Sequence, residues 1–224
     1  NQAEHALRET AKLQKESFPD AHQTATKYIY VDDCLSGDQS PDLAFSRADH
    51  LRTILGKGGF KLKGTTFSGH EPDPELSIDG EYIIIAGMKW YSKDDLISLD
   101  ISQLNFAKKI RGKKPTSKPN VPLVLTRRHC VSRVSEIYDL AGKITPITAS
   151  LKLDLHQLVE RGLGWDDQIP DNLRSTWISN FQMMEEISKI KYSRAIIPED
   201  AINLDITTVD MGDASKDIAC AAIY

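Results

Sequence analysis

The sequence predicts an α+β fold, and three observations carry that expectation. Short runs of strand composition alternate with helical periodicity through residues 1–107. Apolar residues then recur at helical spacing between Val131 and Met184, and strand character returns after Leu204. With 40% hydrophobic and 27% charged residues among 224, the chain has enough apolar material for a packed core and too much for disorder. Its length suits one large domain or two small ones.

The elements follow in order. Ala3, Leu7 and Ala11 recur every four residues without Gly or Pro, which predicts a short helix ending near Pro19. Thr26 to Val31, rich in Tyr, Ile and Val, predicts a strand reaching Asp32 and Asp33, with Cys34 to Ser36 returning as its partner. Ser40 and Pro41 form an N-cap and first-turn pair; Leu43, Ala44, Ala48, Leu51 and Leu55 share one face, and Gly56, Gly58 and Gly59 end that helix. Phe60 to Thr66 is a strand candidate. Tyr82 to Ile85 is another, continuing past Gly87 toward Trp90, and a turn at Ser92 to Asp95 leads into the alternating Leu96 to Ile101 as a hairpin.

Lys108 to Lys118 carries six cations, no acid and a proline, the composition of an exposed loop between two regions. Val131, Val134 and Tyr138 predict one helix, and Thr145-Pro146 starts another with Ile147, Leu151, Leu155 and Leu158 on one stripe. Leu173, Trp177, Phe181 and Met184 define a third, so a small helical layer is expected here. Leu204 to Met211 and Ile218 to Tyr224 read as two strands around Gly212-Asp213-Ala214-Ser215. A lone hairpin is marginal, so the chain is expected to stop inside a domain. Its start at Asn1, not Met, gives the matching expectation of a processed or excised segment. No internal repeat is present.

Composition also narrows function. A net charge of -4 excludes a globally basic nucleic-acid binder, so any such contact needs a local patch. Cys34, Cys130 and Cys220 are odd in number and widely spaced, which predicts reduced thiols and an intracellular location. Neither a membrane span nor a signal peptide is predicted. His5, His22, His50, His70, His129 and His156 lack metal-ligand spacing with each other or with the cysteines. There is no nucleophile elbow of the Gly-x-Ser-x-Gly type and no phosphate-cradling glycine loop.

The segment with chemistry in it is Tyr30-Val31-Asp32-Asp33. Side chains alternate faces along a strand, so adjacent carboxylates serve one site only where the backbone turns. A hairpin tip provides that turn. Two carboxylates held close repel, and a hard cation with oxygen preference relieves the repulsion. Nucleotidyl transfer uses such cations, two ions about 3.5 to 4 Å apart acting on the attacking and leaving oxygens. On the dipeptide alone a solvated Asp-Asp turn is the commoner reading.

The context shifts that balance. Phe18-Pro19-Asp20-Ala21 precedes the YVDD turn; Gly58-Gly59-Phe60-Lys61-Leu62 and Gly87-Met88-Lys89-Trp90 follow it. Then come Asn105 to Gly112, Ile137-Tyr138-Asp139-Leu140-Ala141-Gly142 with Thr145-Pro146-Ile147, and Trp165-Asp166-Asp167 with a later Trp177. In this order, over nearly the whole chain, the segments resemble reverse transcriptases of Bel/Pao-type LTR retrotransposons.

The resemblance implies a partial palm with its primer-grip hairpin at residues 1–107, a basic loop and helical thumb or connection region at 108–200, and the truncated start of a ribonuclease H domain at 201–224. It implies RNA-directed DNA polymerase chemistry with Asp32 and Asp33 as metal ligands of a two-metal site for Mg²⁺ or Mn²⁺. Asp213 would be the first carboxylate of the ribonuclease H centre. Tyr30 and Gly87, Met88, Lys89 and Trp90 would lie along the primer and template, and Lys113 and Lys114 would meet phosphates near the thumb. The implied partners are an RNA template, a DNA primer, their hybrid, deoxynucleotides and the rest of the polyprotein, with no membrane. The implied location is a cytoplasmic particle or the nucleus.

Each role has a plainer counterpart: Tyr30 as a strand aromatic, Gly87 to Trp90 as a core strand with a glycine bulge, Asp213 as a turn residue, the basic run as a solvated linker. The sequence also departs from the family. Lys63 to Gly69 has neither the Trp nor the Asn expected there, residues 1–29 offer no strand for a third palm carboxylate, and further ribonuclease H ligands would follow Tyr224. The expectation is therefore that this chain alone neither polymerises nor cleaves. The alternative is a catalytically dead palm and thumb remnant that binds nucleic acid. An aspartic peptidase, another enzyme of such polyproteins, needs Asp-Thr/Ser-Gly loops, and Ser36-Gly37 follows Leu35 instead.

Overall fold

A computed structural model describes residues 2–30, 33–101, 121–139, 142–197, 207, 209–216 and 219–223. The α+β class holds: six helices and eight short strands lie among these residues. Backbone contacts divide the chain into two compact units, residues 1–86 with 90–94 and residues 87–89 with 95–224. The expected basic loop, with Lys113 and Lys114, lies outside the described residues.

In the first unit, α1 (Gln2–Lys12), α2 (Pro19–Lys27) and α3 (Pro41–Lys57) surround a core of Ala11, Ala21, Ala25, Leu51, Ile54 and Leu55. The alanines let the helices approach closely, and Leu7, Phe18, Phe60 and Leu62 close the rim. Gly58 belongs to the same fit, since a Cβ there would sit 2.5 Å from the Thr10 hydroxyl. The α3 boundaries match the sequence signals. Ser40 Oγ accepts the Leu43 N–H at 3.4 Å, and Gly59, at φ 78°, lets Phe60 N–H return to the Leu55 carbonyl.

Helix α2 replaces part of a predicted strand. Thr26 and Lys27 are helical, and only Ile29–Tyr30 (β1) is extended, paired with Asp33–Cys34 (β2). The β-branched threonines are accommodated because Thr24 and Thr26 hydroxyls donate to the carbonyls of Asp20 and His22, one turn back. Ala21 and Ala25 are fully buried, and that packing overrides strand propensity.

Phe60 to Thr66 forms no strand. Its polar groups are met by Asp73, whose carboxylate accepts the N–H of Thr65 and of Glu75, while Thr66 Oγ1 accepts the Asp73 N–H. The single strand expected from Tyr82 to Trp90 is two strands, β3 (Ile83–Ile85) and β4 (Met88–Tyr91). Ala86 at φ 47° and Gly87 at φ 76° form the two-residue connection, the positive-φ pair of a hairpin turn that matches strand twist. With β5 (Leu96–Leu99) and β6 (Tyr192–Ser193) the strand order is β3-β4-β5-β6.

The second unit is built on the expected helical layer: α4 (Arg127–Ser135), α5 (Thr145–Glu160) and α6 (Asp171–Ile187). Leu151, Leu158, Trp177, Phe181 and Met184 are buried as the stripes require, together with Leu125, Cys130, Val134 and Ile187. Helix α4 stops at Ser135, so Tyr138 lies beyond it. Strand β6, which the sequence did not signal, pairs antiparallel with β5, and Arg194 fixes it by two bonds of 2.6 and 2.7 Å to Asp95. The last hairpin is β7 (Asp210–Ala214) with β8 (Ala219–Ile223). Gly212, Asp213 and Ala214 therefore lie in a strand and not in the turn between strands. Among the described residues no helix is long and apolar enough to cross a membrane.

Candidate active site

The acidic turn is built by the shortest strands in the chain. Ile29 pairs with Cys34 and Tyr30 with Asp33, and the Leu35 N–H reaches the Tyr28 carbonyl at 2.8 Å. This is the hairpin the sequence predicts. Val31 and Asp32, between the paired residues, lie outside the described residues. Tyr30 is 38% exposed and Asp33 half-buried. Asp33 Oδ2 accepts the Ala86 N–H at 3.3 Å, tying the acidic hairpin to the β3–β4 turn. Burial, then the Asp33 charge beside it, pushes the Cys34 thiol above its ordinary value.

A second set of residues, in which Arg47 and Asp38 join the Phe18 to Ala21 segment already noted, secures the exit from this hairpin. Arg47 on α3 donates from Nε and Nη2 to the two Asp38 oxygens at 2.6 and 2.7 Å. Its Nη1 reaches the Asp20 carbonyl at 3.2 Å. The Asp20 carboxylate meets His50 Nδ1 at 2.9 Å, and the His50 ring lies 4.9 Å from that of Phe18. The Arg47 hydrogen bond holds Asp38 below the usual carboxylate range. Asp20 is also lowered: burial raises it, and the His50 bond and the Ala21 backbone N–H outweigh that. The signal in the sequence is Asp38 nine residues ahead of Arg47, a spacing too generic to mark an ion pair.

The residues matched to the primer grip are mostly enclosed. Met88 and Trp90 are buried, and Lys89 Nζ is 4.0 Å from Asp100, with 17% and 8% of the two side chains exposed. Gly87 is obligatory on two counts: its φ is 76°, and a Cβ would lie 2.8 Å from the Tyr138 ring. Asp213 is exposed on β7 opposite Cys220, its carboxylate accepting the Ala214 N–H at 2.8 Å. Among the described residues no group of three or more His, Cys, Asp or Glu is placed to hold a metal ion. Asp33 supplies a hard, negatively charged oxygen donor of the kind Mg²⁺ or Mn²⁺ takes, so the chemistry of the donor fits while the described set is short of a full site.

Residues 126–224 match the family model described as the Pao retrotransposon-like RNaseH-like domain. The match runs from the cap of α4 through β8 and overlaps much of the region expected as thumb and connection. It supports the origin of the chain in a Bel/Pao retrotransposon polyprotein. No curated protein and no solved structure matches the chain.

Proposed function

We propose that the chain is a segment of a retroelement RNA-directed DNA polymerase, with Asp32 and Asp33 as metal ligands for nucleotidyl transfer. The observation that carries this reading is the two-residue-linked hairpin around Asp32 and Asp33, standing upstream of a stretch that matches a retrotransposon RNaseH-like family. The divisions at 107 and 200, with Asp213 opening a ribonuclease H centre, belong to the same proposal.

Each residue then has a task. Asp33 accepts the Ala86 N–H, and with Asp32, its neighbour in the sequence, it would supply the negative charge that holds the metal ions. Tyr30, opposite Asp33 and partly exposed, would pack on the primer terminus. Lys89 neutralises Asp100 and keeps the β4 strand in place, which makes Gly87 to Trp90 a support whose contact with primer would run through backbone. Mg²⁺ or Mn²⁺ held by Asp32 and Asp33 would activate the primer hydroxyl and stabilise the leaving oxygen.

The test is primer extension on an RNA template, with Mg²⁺ and with Mn²⁺, by protein expressed from the reading frame containing these 224 residues. Loss of extension in both Asp32→Asn and Asp33→Asn supports the assignment; extension that survives either substitution refutes it. Mg²⁺-independent hybrid binding with no turnover in the wild type favours the catalytically dead remnant. For the isolated 224-residue chain the expected result is no extension, because a preorganised site lacking one member loses orders of magnitude in rate.

A further inference from the structure

The link between α5 and α6 displays an aromatic side chain on a rigid mount. Trp165 is 48% exposed, whereas Trp90 and Trp177 are 9% and 1% exposed. Its backbone is fixed from both sides. The Arg128 N–H donates to the Trp165 carbonyl at 2.8 Å, the Gly164 N–H to Asp167 at 2.7 Å, and the Ile169 N–H to the Leu125 carbonyl at 2.9 Å. Arg127 Nη1 donates to the Leu163 carbonyl at 2.7 Å. Two planar cations flank the indole: the guanidinium carbons of Arg127 and Arg128 lie 4.9 and 5.5 Å from its ring centroid.

Exposing a large aromatic costs hydration free energy, and ordering a loop around it costs entropy. A side chain held out this way is preorganised for a ligand with a flat face. An indole with adjacent guanidinium planes suits an unpaired base with its phosphate: the ring stacks, and arginine supplies cation–π and phosphate contacts. Local acids do not forbid it. Asp167 is engaged with Gly164, and Asp166 makes only a solvent-exposed pair with Arg128 at 2.7 Å, which a phosphate can displace.

We propose that Trp165, with Arg127 and Arg128, is a contact site for single-stranded nucleic acid. The site borrows from the retroelement reading only the class of ligand and makes no use of Asp33.

The experiment uses the 224-residue chain and an oligothymidylate, reading affinity by anisotropy of the labelled strand and stacking by tryptophan fluorescence with the unlabelled one. Because Trp90 and Trp177 are enclosed, saturable quenching reports Trp165. The expected result is quenching, with affinity that falls with salt, weakens roughly 5- to 150-fold in Trp165→Ala, and is largely kept in Trp165→Phe. Unchanged affinity in Trp165→Ala, or no binding of single strands, overturns the proposal. Binding of an RNA/DNA hybrid but not of single strands also overturns it while leaving the polymerase reading intact. Self-association that disappears in Trp165→Ala, without oligonucleotide quenching, overturns it in favour of a protein contact.

Discussion

At the residue scale, His129 is the side chain whose protonation state the fold dictates. Its Nδ1 accepts the Thr126 N–H at 3.2 Å, closing the capping box of α4, and only neutral imidazole can accept there. Burial first, then Arg133, lowers its pKa from 6.5, with Arg128 adding to the fall and Asp166 opposing it. The folded chain therefore binds this proton less tightly than the unfolded chain. Stability from His129 is fully present above pH about 6.5 and lost as the pH falls below that value. Urea midpoints measured between pH 5 and 8 should show this slope, and His129→Gln, which keeps a capping-box acceptor, should flatten it. Gly87→Ala forces a side chain into left-handed backbone and onto Tyr138, and should cost about 1 to 3 kcal/mol by the same measurement.

At the scale of elements, what the sequence revealed depended on range. Ser40, Pro41 and the glycines after Lys57 delimit α3 through bonds within a few residues, and those ends were legible. So were the stripes of α5 and α6, because burial on one face follows spacing alone. The last two residues of α2, Thr26 and Lys27, carry strand signals locally, while the buried Ala21 and Ala25, visible only in the folded packing, decide for helix. Strand β6 was missed since a two-residue strand has no period and depends on Asp95, about a hundred positions earlier. Trp177→Ala in α6 should cost about 3 to 5 kcal/mol in urea unfolding. The β7–β8 amides should exchange with solvent fastest among the strands, since the side chains described there are exposed and nothing larger supports the hairpin among the described residues.

At the scale of the whole molecule, the family match supports the retroelement origin through residues 126–224. Ile29 and Tyr30 pair with Cys34 and Asp33 on either side of the acidic turn, and of the later segments those from Ile137 onward fall in the stretch matched to the Pao RNaseH-like family, whereas Gly58 to Leu62, Gly87 to Trp90 and Asn105 to Gly112 lie before it. The clamp of Arg47 on Asp38 and Asp20 was illegible because it joins three separate stretches of chain. Arg47→Ala leaves Asp38 half-enclosed without its cation and should destabilise the chain by about 1 to 3 kcal/mol, measured by urea unfolding. Charge is the other global property. With a net charge of -4, phosphate contacts must be local, so Lys113→Glu with Lys114→Glu should lower the slope of log affinity against log salt by about 2 for hybrid binding. An unchanged slope removes those lysines from the interface.

The register of the last hairpin has a practical consequence. Cys130 is buried, with its thiol pushed far up by that burial, and Cys34 is half-buried and raised as well, while Cys220 is exposed. Alkylating reagents need the thiolate and access to it, so maleimide should modify Cys220 first. Because Cys220 sits directly across the ladder from Asp213, a fluorophore attached there becomes a reporter placed one strand away from the carboxylate proposed to open the ribonuclease H centre.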